Sequence, residues 1–536
     1  MPGHRPRLPL PSTNIGRWQL LPTPESFYSC SATRHPCVPI DPARNVRRDR
    51  ATIPTNRQIA SSAADEHHLL RRLRLRDLVL AQILCVVGSS WVGVAAGLGR
   101  AQALTWIAAM VVFYFPMAAS VICLNRVWPL EGGLYVWAHR AYGDLGGFLT
   151  AWNLWVYAIS IIAAILYATP TELAYLIGPS AAGLPENHLA SLGILLLVIA
   201  LIAITGLRGL EVGKWIHNAG AIAILMVYIG LILLPLWALW RHVPVHWIPF
   251  AVELPPPTLR SLALFGQMIF GALCGLEYIA ILAGESKQAA RSIGQSVWIS
   301  SPVICAMFVL GTSAVAAFSQ HDHIDFIAPI PQTVRLALGH SGIGSLFAVT
   351  AILLLQMRLL AAASYLFTGV TRLPMTVGWD NLVPVWFTRL HPRWRTPANS
   401  ILCTSLLIFL LLVLGSLGVH AQEAYQLLSN ASLAHYELAY LAMFAIPLAG
   451  ASAVRSALPR WLKWTSLIGF CATLFSLLIS AYPFVDVVNP KVYAAKILGT
   501  TALSNLIGFA FYKLRTRGLK SVCENQDLRI ESRRDG

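Results

Sequence analysis

The chain has 536 residues, of which 56% are hydrophobic and only 12% charged, against roughly 25% charged in an ordinary soluble domain, so a water-soluble fold could not hide its apolar surface. A net charge of +16 would suit a nucleic-acid binder if Lys and Arg lined one amphipathic face. They lie instead in the tails and between apolar blocks, which removes nucleic acid as a partner and fits the orientation rule of membrane proteins.

Residues 1–76 are rich in Pro, Arg and Ser and contain no apolar run. This predicts a disordered cytoplasmic tail with neither a signal-peptide core nor a globular one; a mis-assigned start codon would give the same composition. Cys30 and Cys37 in this tail have no further ligand pair at metal-site spacing. From Leu78 onward twelve apolar blocks follow, at 78–98, 103–125, 145–168, 188–207, 216–240 and 262–283, then 298–318, 343–368, 396–415, 427–449, 461–482 and 491–512. Each has the length that crosses about 30 Å of hydrocarbon at 1.5 Å per residue. Cys85, Cys123, Cys274, Cys305, Cys403 and Cys471 fall inside them and read as small hydrophobes, not as a disulfide framework. Arg71, Arg72, Arg74 and Arg76 precede the first block, and Lys513, Arg515, Arg517 and Lys520 follow the last. Arg126, Arg140, Arg208, Lys214, Lys287, Arg291, Arg372, Arg389, Arg393, Arg395, Arg455, Arg460 and Lys463 sit in alternate loops, while the opposite side has only Arg241, Arg260, Arg335, Lys491 and Lys496. The positive-inside rule then puts both termini in the cytoplasm of a multi-pass protein of the cell (plasma or inner) membrane, with the lipid bilayer as its surroundings.

Glycine clusters inside two blocks carry the first functional signal, because Gly weakens a helix by about 1 kcal/mol relative to Ala. Block 1 reads Val86-Val87-Gly88-Ser89-Ser90-Trp91-Val92-Gly93, and block 6 reads Phe270-Gly271-Ala272-Leu273-Cys274-Gly275-Leu276-Glu277. Two Gly-interrupted blocks five apart point to a transporter built of inverted repeats, whose broken helices expose backbone groups at mid-membrane depth. The alternative is close helix packing, since small residues let backbones approach. Glu277 is the strongest single residue: a carboxylate near the bilayer centre costs at least about 2.5 to 3.5 kcal/mol and faces the bundle interior. Its roles are proton acceptor, gate, partner to a cationic substrate, or a structural hydrogen bond to a neighbouring helix. Glu437, after His435 and Tyr436 in block 10, is a second candidate for gating or proton coupling, and Arg358 in block 8 is a counter-charge candidate for either carboxylate. Trp152, Trp155 and Tyr157 in block 3 are candidate walls of a solute pocket, or packing and interface anchors.

The loop after block 2 reads Pro129-Leu130-Glu131-Gly132-Gly133-Leu134-Tyr135-Val136-Trp137, then Ala141-Tyr142-Gly143, Gly147-Phe148 and Trp152. A second stretch runs from Gly275-Leu276-Glu277 to Ala283-Gly284-Glu285-Ser286-Lys287 and Arg291. A third has Asp380-Asn381-Leu382-Val383-Pro384, His391-Pro392 and Thr396-Pro397-Ala398-Asn399. In this order the three resemble signatures of the amino acid-polyamine-organocation permeases, over residues 77 to about 512. The resemblance implies an all-α integral membrane protein of about twelve helices with the leucine-transporter 5+5 inverted repeat. Repeat one would be 78–240, repeat two 262–449, and helices 461–512 peripheral, within a transporter domain 77–512 followed by a cytoplasmic tail 513–536. Carried over residue by residue, Gly88, Ser89, Ser90, Trp91, Phe270, Gly271, Ala272 and Gly275 would line the substrate site. Glu277 would take the acidic position linked to gating and pH sensing in some members of the family, and Glu285, Lys287 and Arg291 would match a charged cytoplasmic loop, as gate or structural contacts and not as substrate ligands.

The chain departs from the family at three places. Ser90 and bulky Trp91 stand where a G-S-G motif leaves open backbone. Ala219 to Val227 carries no charge where some proton-coupled relatives have a lysine. Thr371-Arg372-Leu373-Pro374 occupies a position where an acidic residue is common. Ser364 in block 8 is a candidate sodium ligand, so H+ and Na+ both stand as coupling ions, and no cofactor or resident metal is expected. No H-E-x-x-H or D-D-x-x-D motif is present, and His321, Asp322 and His323 read as a solvated loop, which argues against an enzyme. Neither a filter-like repeat nor a large ligand domain suggests a channel or receptor. The expectation is secondary active transport of an amino acid by alternating access. A polyamine or other organic cation carrier, or a non-transporting sensor, are the alternatives.

Overall fold

The computed structural model describes residues 74–128, 132–243, 245, 253–281, 289–319, 324–379, 382–415, 421–483 and 489–531. Among the described residues the regular structure is entirely helical. Ten helices are long and apolar enough to cross a membrane; a bent pair, Leu75–Val86 with Ser90–Ala96, and a shorter apolar helix, Ala398–Leu414, account for the remaining two blocks. In chain order, span 1 is that bent pair, span 2 is Gly99–Val127, span 3 Leu134–Ile177, span 4 His188–Arg208, span 5 Val212–Trp240 and span 6 Leu259–Ala280. Span 7 is Arg291–Phe318, span 8 Gly342–Gly378, span 9 Ala398–Leu414, span 10 Tyr425–Ala449, span 11 Leu462–Ile479 and span 12 Pro490–Arg517.

The spans form because long apolar runs leave the backbone no partner in hydrocarbon except itself. Their ends follow local chemistry. Asn187 caps span 4 by accepting from the Ala190 amide at 3.2 Å, and Thr258 caps span 6 by accepting from the Ser261 amide at 3.2 Å. The expected loop after block 2 is corrected: Leu134 to Tyr142 is helical, and the chain enters it through Gly132 (φ +91°) and Gly133 (φ +45°) before bending at Gly143 (φ +78°). A side chain at Gly132 would meet Thr376 at 2.8 Å, so the paired glycines of that motif serve a sharp, tightly packed entry. A helix that the apolar blocks did not announce, Pro329–Leu338, lies between spans 7 and 8. The helix carrying span 12 is Pro490–Glu531, so helix runs on past the last apolar block.

Span 10 packs most extensively on span 3, span 8 on spans 3 and 5, and span 7 on span 1. Of the ten long spans, spans 4, 11 and 12 are the least buried. The interior is therefore built from the spans that hold the two breaks and the spans that brace them.

Candidate functional site

Span 1 bends by 51° between Val86 and Ser90. The bend frees backbone carbonyls, and the Tyr228 hydroxyl of span 5 donates to the Gly88 carbonyl at 3.0 Å. Leu84 O, one turn earlier, accepts from Nη2 of Arg358 at 3.4 Å. Span 6 breaks differently. Helix Leu259–Gly266 widens into a π-helical turn, Gln267–Ala272, and regular helix resumes only at Glu277. Gly275, at φ +110°, makes the turn, and a Cβ there would lie 2.6 Å from Cys85 Sγ of span 1. The breaks of spans 1 and 6 thus touch.

Trp91 joins them. A Cβ on Gly88 would lie 2.6 Å from Trp91 Cδ1, and a Cβ on Gly271 would lie 2.6 Å from Trp91 Cη2. The indole therefore spans the gap with one edge on each glycine, and both positions must stay bare for it to fit. Of the residues expected at the site, the structure brings Gly88, Trp91 and Gly271 into one contact. Ser89 is buried with its hydroxyl unpartnered. Phe270 turns from the span 1 break into an aromatic group, with its ring 5.1 Å from Phe113, 5.4 Å from Tyr436 and 5.0 Å from Tyr440.

Glu277 is fully buried. Its two carboxylate oxygens accept from two hydroxyls of span 10, Oε1 from Tyr436 and Oε2 from Tyr440. The Tyr440 oxygen also accepts from the Gly275 amide at 3.3 Å, so one tyrosine ties the break in span 6 to the carboxylate beside it. Tyr436 is fixed by stacking on Tyr157 of span 3, with ring centroids 3.6 Å apart. Tyr436 and Tyr440 are four residues apart and so share a helix face. No local pattern points to their partner; the fold pairs them with Glu277, 159 and 163 residues away.

Glu437 stands apart. It follows Tyr436 by one residue, so it points to a different face of span 10, where it accepts from Ser476 of span 11 at 2.5 Å. Arg358 is not the counter-charge considered for these carboxylates: it makes no ion pair with Glu277, Glu437 or any other group among the described residues. Of the span 3 aromatics, only Tyr157 reaches Glu277's surroundings, through its stacking on Tyr436. Trp152 turns to span 12, donating to Ser504 O at 3.0 Å, with Trp155 beside it at 5.9 Å between ring centroids. Ser364 meets His217 of span 5 at 3.3 Å. Pro129, Leu130, Glu131, Glu285, Ser286, Lys287, His321, Asp322, His323, Asp380 and Asn381, with Cys30 and Cys37, lie outside the described residues. A cavity of about 780 Å³ opens at the Tyr175 end of span 3, lined by Thr171, Tyr175, Asp325, Arg335 and His340 among others.

Two helices broken against each other at mid-span, with a sealed carboxylate at one break, define a membrane carrier rather than an enzyme. The family model described as amino acid permease matches residues 78–503, and the chain belongs to that family, within the amino acid-polyamine-organocation superfamily. It is similar to an uncharacterized transporter of Legionella pneumophila, at 25% identity over 71% of this chain and 81% of that protein. It is also similar to the branched-chain amino acid permease BcaP of Bacillus subtilis, at 22% identity over 63% of this chain and 74% of that one. A probable agmatine/putrescine antiporter of Lactococcus lactis is 26% identical over 50% of this chain and 56% of its own length. The protein is thus a multi-pass transporter of a small molecule.

Proposed function

We propose that this permease moves an amino acid by alternating access, with the substrate held where spans 1 and 6 break and with proton coupling through Glu277. The observation that carries the reading is the junction itself: Gly88 and Gly271 face each other across Trp91, and Glu277 begins the second half of span 6 under two tyrosine hydroxyls from span 10. A shift of that half-helix against span 10 must break both hydrogen bonds, so opening of the site and the state of the carboxylate are mechanically linked. On this reading both termini lie in the cytoplasm and the protein resides in the cell membrane, in keeping with the distribution of Lys and Arg.

A polyamine carrier is the second reading, favoured by the similarity to the agmatine/putrescine antiporter. A dication would need carboxylates free to receive it, and Glu277 already has a donor on each oxygen. The test is uptake of radiolabelled amino acids and polyamines into proteoliposomes under imposed proton or sodium gradients, comparing wild type with Glu277→Gln. Saturable uptake of an amino acid driven by the proton gradient, with that drive lost in the variant, is the expected result. Uptake driven only by sodium, or of polyamines only, would replace the respective part of the proposal.

A further inference from the structure

Arg358 has a charge and no use for it in the fold. It sits on span 8, 8% exposed. A guanidinium carries five N–H donors, yet the protein hydrogen bond found for it is the one to Leu84 O at 3.4 Å, and Nε is buried without a partner. The deeply buried carboxylates are committed elsewhere: Glu172 accepts from Gln356 at 2.8 Å, Glu277 from two tyrosines, and Glu437 from Ser476. Glu172 lies near enough to feel the guanidinium's charge but forms no ion pair with it; a buried charge with no directly paired counter-ion is strongly destabilising, so its presence here calls for an anion that arrives from outside. The position fits one. Nη2 lies 3.7 Å from where a Cβ on Gly88 would be, on the side of Gly88 that Trp91 also covers.

We propose that Arg358 is the anion-binding group of the substrate site, taking the substrate's carboxylate at the break in span 1. The inference rests on the transport reading above and sharpens it: the substrate must carry a carboxylate, and a simple polyamine is refused. The guanidinium fork matches a carboxylate with two parallel hydrogen bonds. It replaces an open backbone, which Trp91 now covers, with a side chain from span 8. Binding then draws span 8 toward the broken segment of span 1, so the substrate cross-links the two elements whose relative motion opens the site.

The full-length protein in proteoliposomes provides the test, with matched probes that differ only in the carboxylate: leucine with isopentylamine, lysine with cadaverine, ornithine with putrescine. The keto acid 4-methyl-2-oxopentanoate is added as a carboxylate without an amine. Wild type is expected to move the carboxylate member of a pair and to refuse its amine. Arg358→Gln is expected to raise the carboxylate probe's KM by about thirtyfold or more, the scale set by removing one partner of a buried charge pair. Arg358→Lys, which keeps the charge and loses the fork, should give a smaller rise; if the Gln variant does not fold, this rise in KM with the amine still refused carries the test. Equal transport of both members of a pair, or an unchanged KM in a folded variant, overturns the role of Arg358 and leaves amino acid transport standing. Arg358-dependent uptake of the keto acid alone overturns the amino acid reading and leaves Arg358 standing. If the wild type moves none of the probes, both fall.

Discussion

A carboxylate sealed inside a bundle of membrane spans persists only if its oxygens keep fixed donors. For Glu277 these are the hydroxyls of Tyr436 and Tyr440, and Tyr436 is itself held by stacking on Tyr157. Each hydrogen bond to a charged group is worth about 1.5 to 3 kcal/mol, so Tyr436→Phe and Tyr440→Phe should each lower the initial rate of uptake and weaken its response to an imposed proton gradient. The Tyr440 change should be the larger, because that hydroxyl also accepts from the Gly275 amide. Flux measurements on the two variants in one lipid mixture check the order. Trp91 makes a different prediction, since its indole fills the space between Gly88 and Gly271. Trp91→Ala should admit larger amino acids than wild type does, read as new inhibition by bulky side chains in a competition assay. An unaltered selectivity profile would remove Trp91 from the site.

Among elements, the two breaks differ in how they tolerate change. Gly275→Ala forces a Cβ onto a residue at φ +110° and to within 2.6 Å of Cys85 Sγ, a strain of order 1 to 3 kcal/mol from the backbone alone. Gly230→Ala, in span 5 with nothing within 4 Å, should be neutral or slightly stabilising. Thermal unfolding of the purified protein in detergent checks the contrast: a lower Tm for the first, none for the second. The sequence made the breaks legible because glycine is costly in a helix, and it made Glu277 legible because charge is costly in lipid. It could not reveal Tyr436 and Tyr440 as partners, since residues 159 and 163 positions away share no local pattern with the carboxylate they hold. Arg358 was visible as an intramembrane charge, but which group it faced depended on the rotation of span 8, which hydropathy does not encode. Helix Pro329–Leu338 went unannounced because it is short and interrupts its apolar residues with Gln332, Thr333 and Arg335. The segment 134–142 read as a loop because its polar residues and the Gly143 bend mask a helical start.

For the whole molecule, the excess of Lys and Arg on one side predicts that tags at both termini are reached only from the cytoplasm and that the segment around Glu186, between spans 3 and 4, is reached only from outside. Impermeant labelling of intact cells with single engineered cysteines reads this directly. The central claim is that solute passes where spans 1 and 6 break, and the most direct measurement is uptake by Gly271→Leu, alone and combined with Trp91→Ala. A side chain at residue 271 enters the space now held by the indole, so the single variant should lose uptake and the double variant should regain part of it, both remaining monodisperse in detergent. Wild-type uptake in a folded Gly271→Leu protein would place the solute path elsewhere and contradict the account.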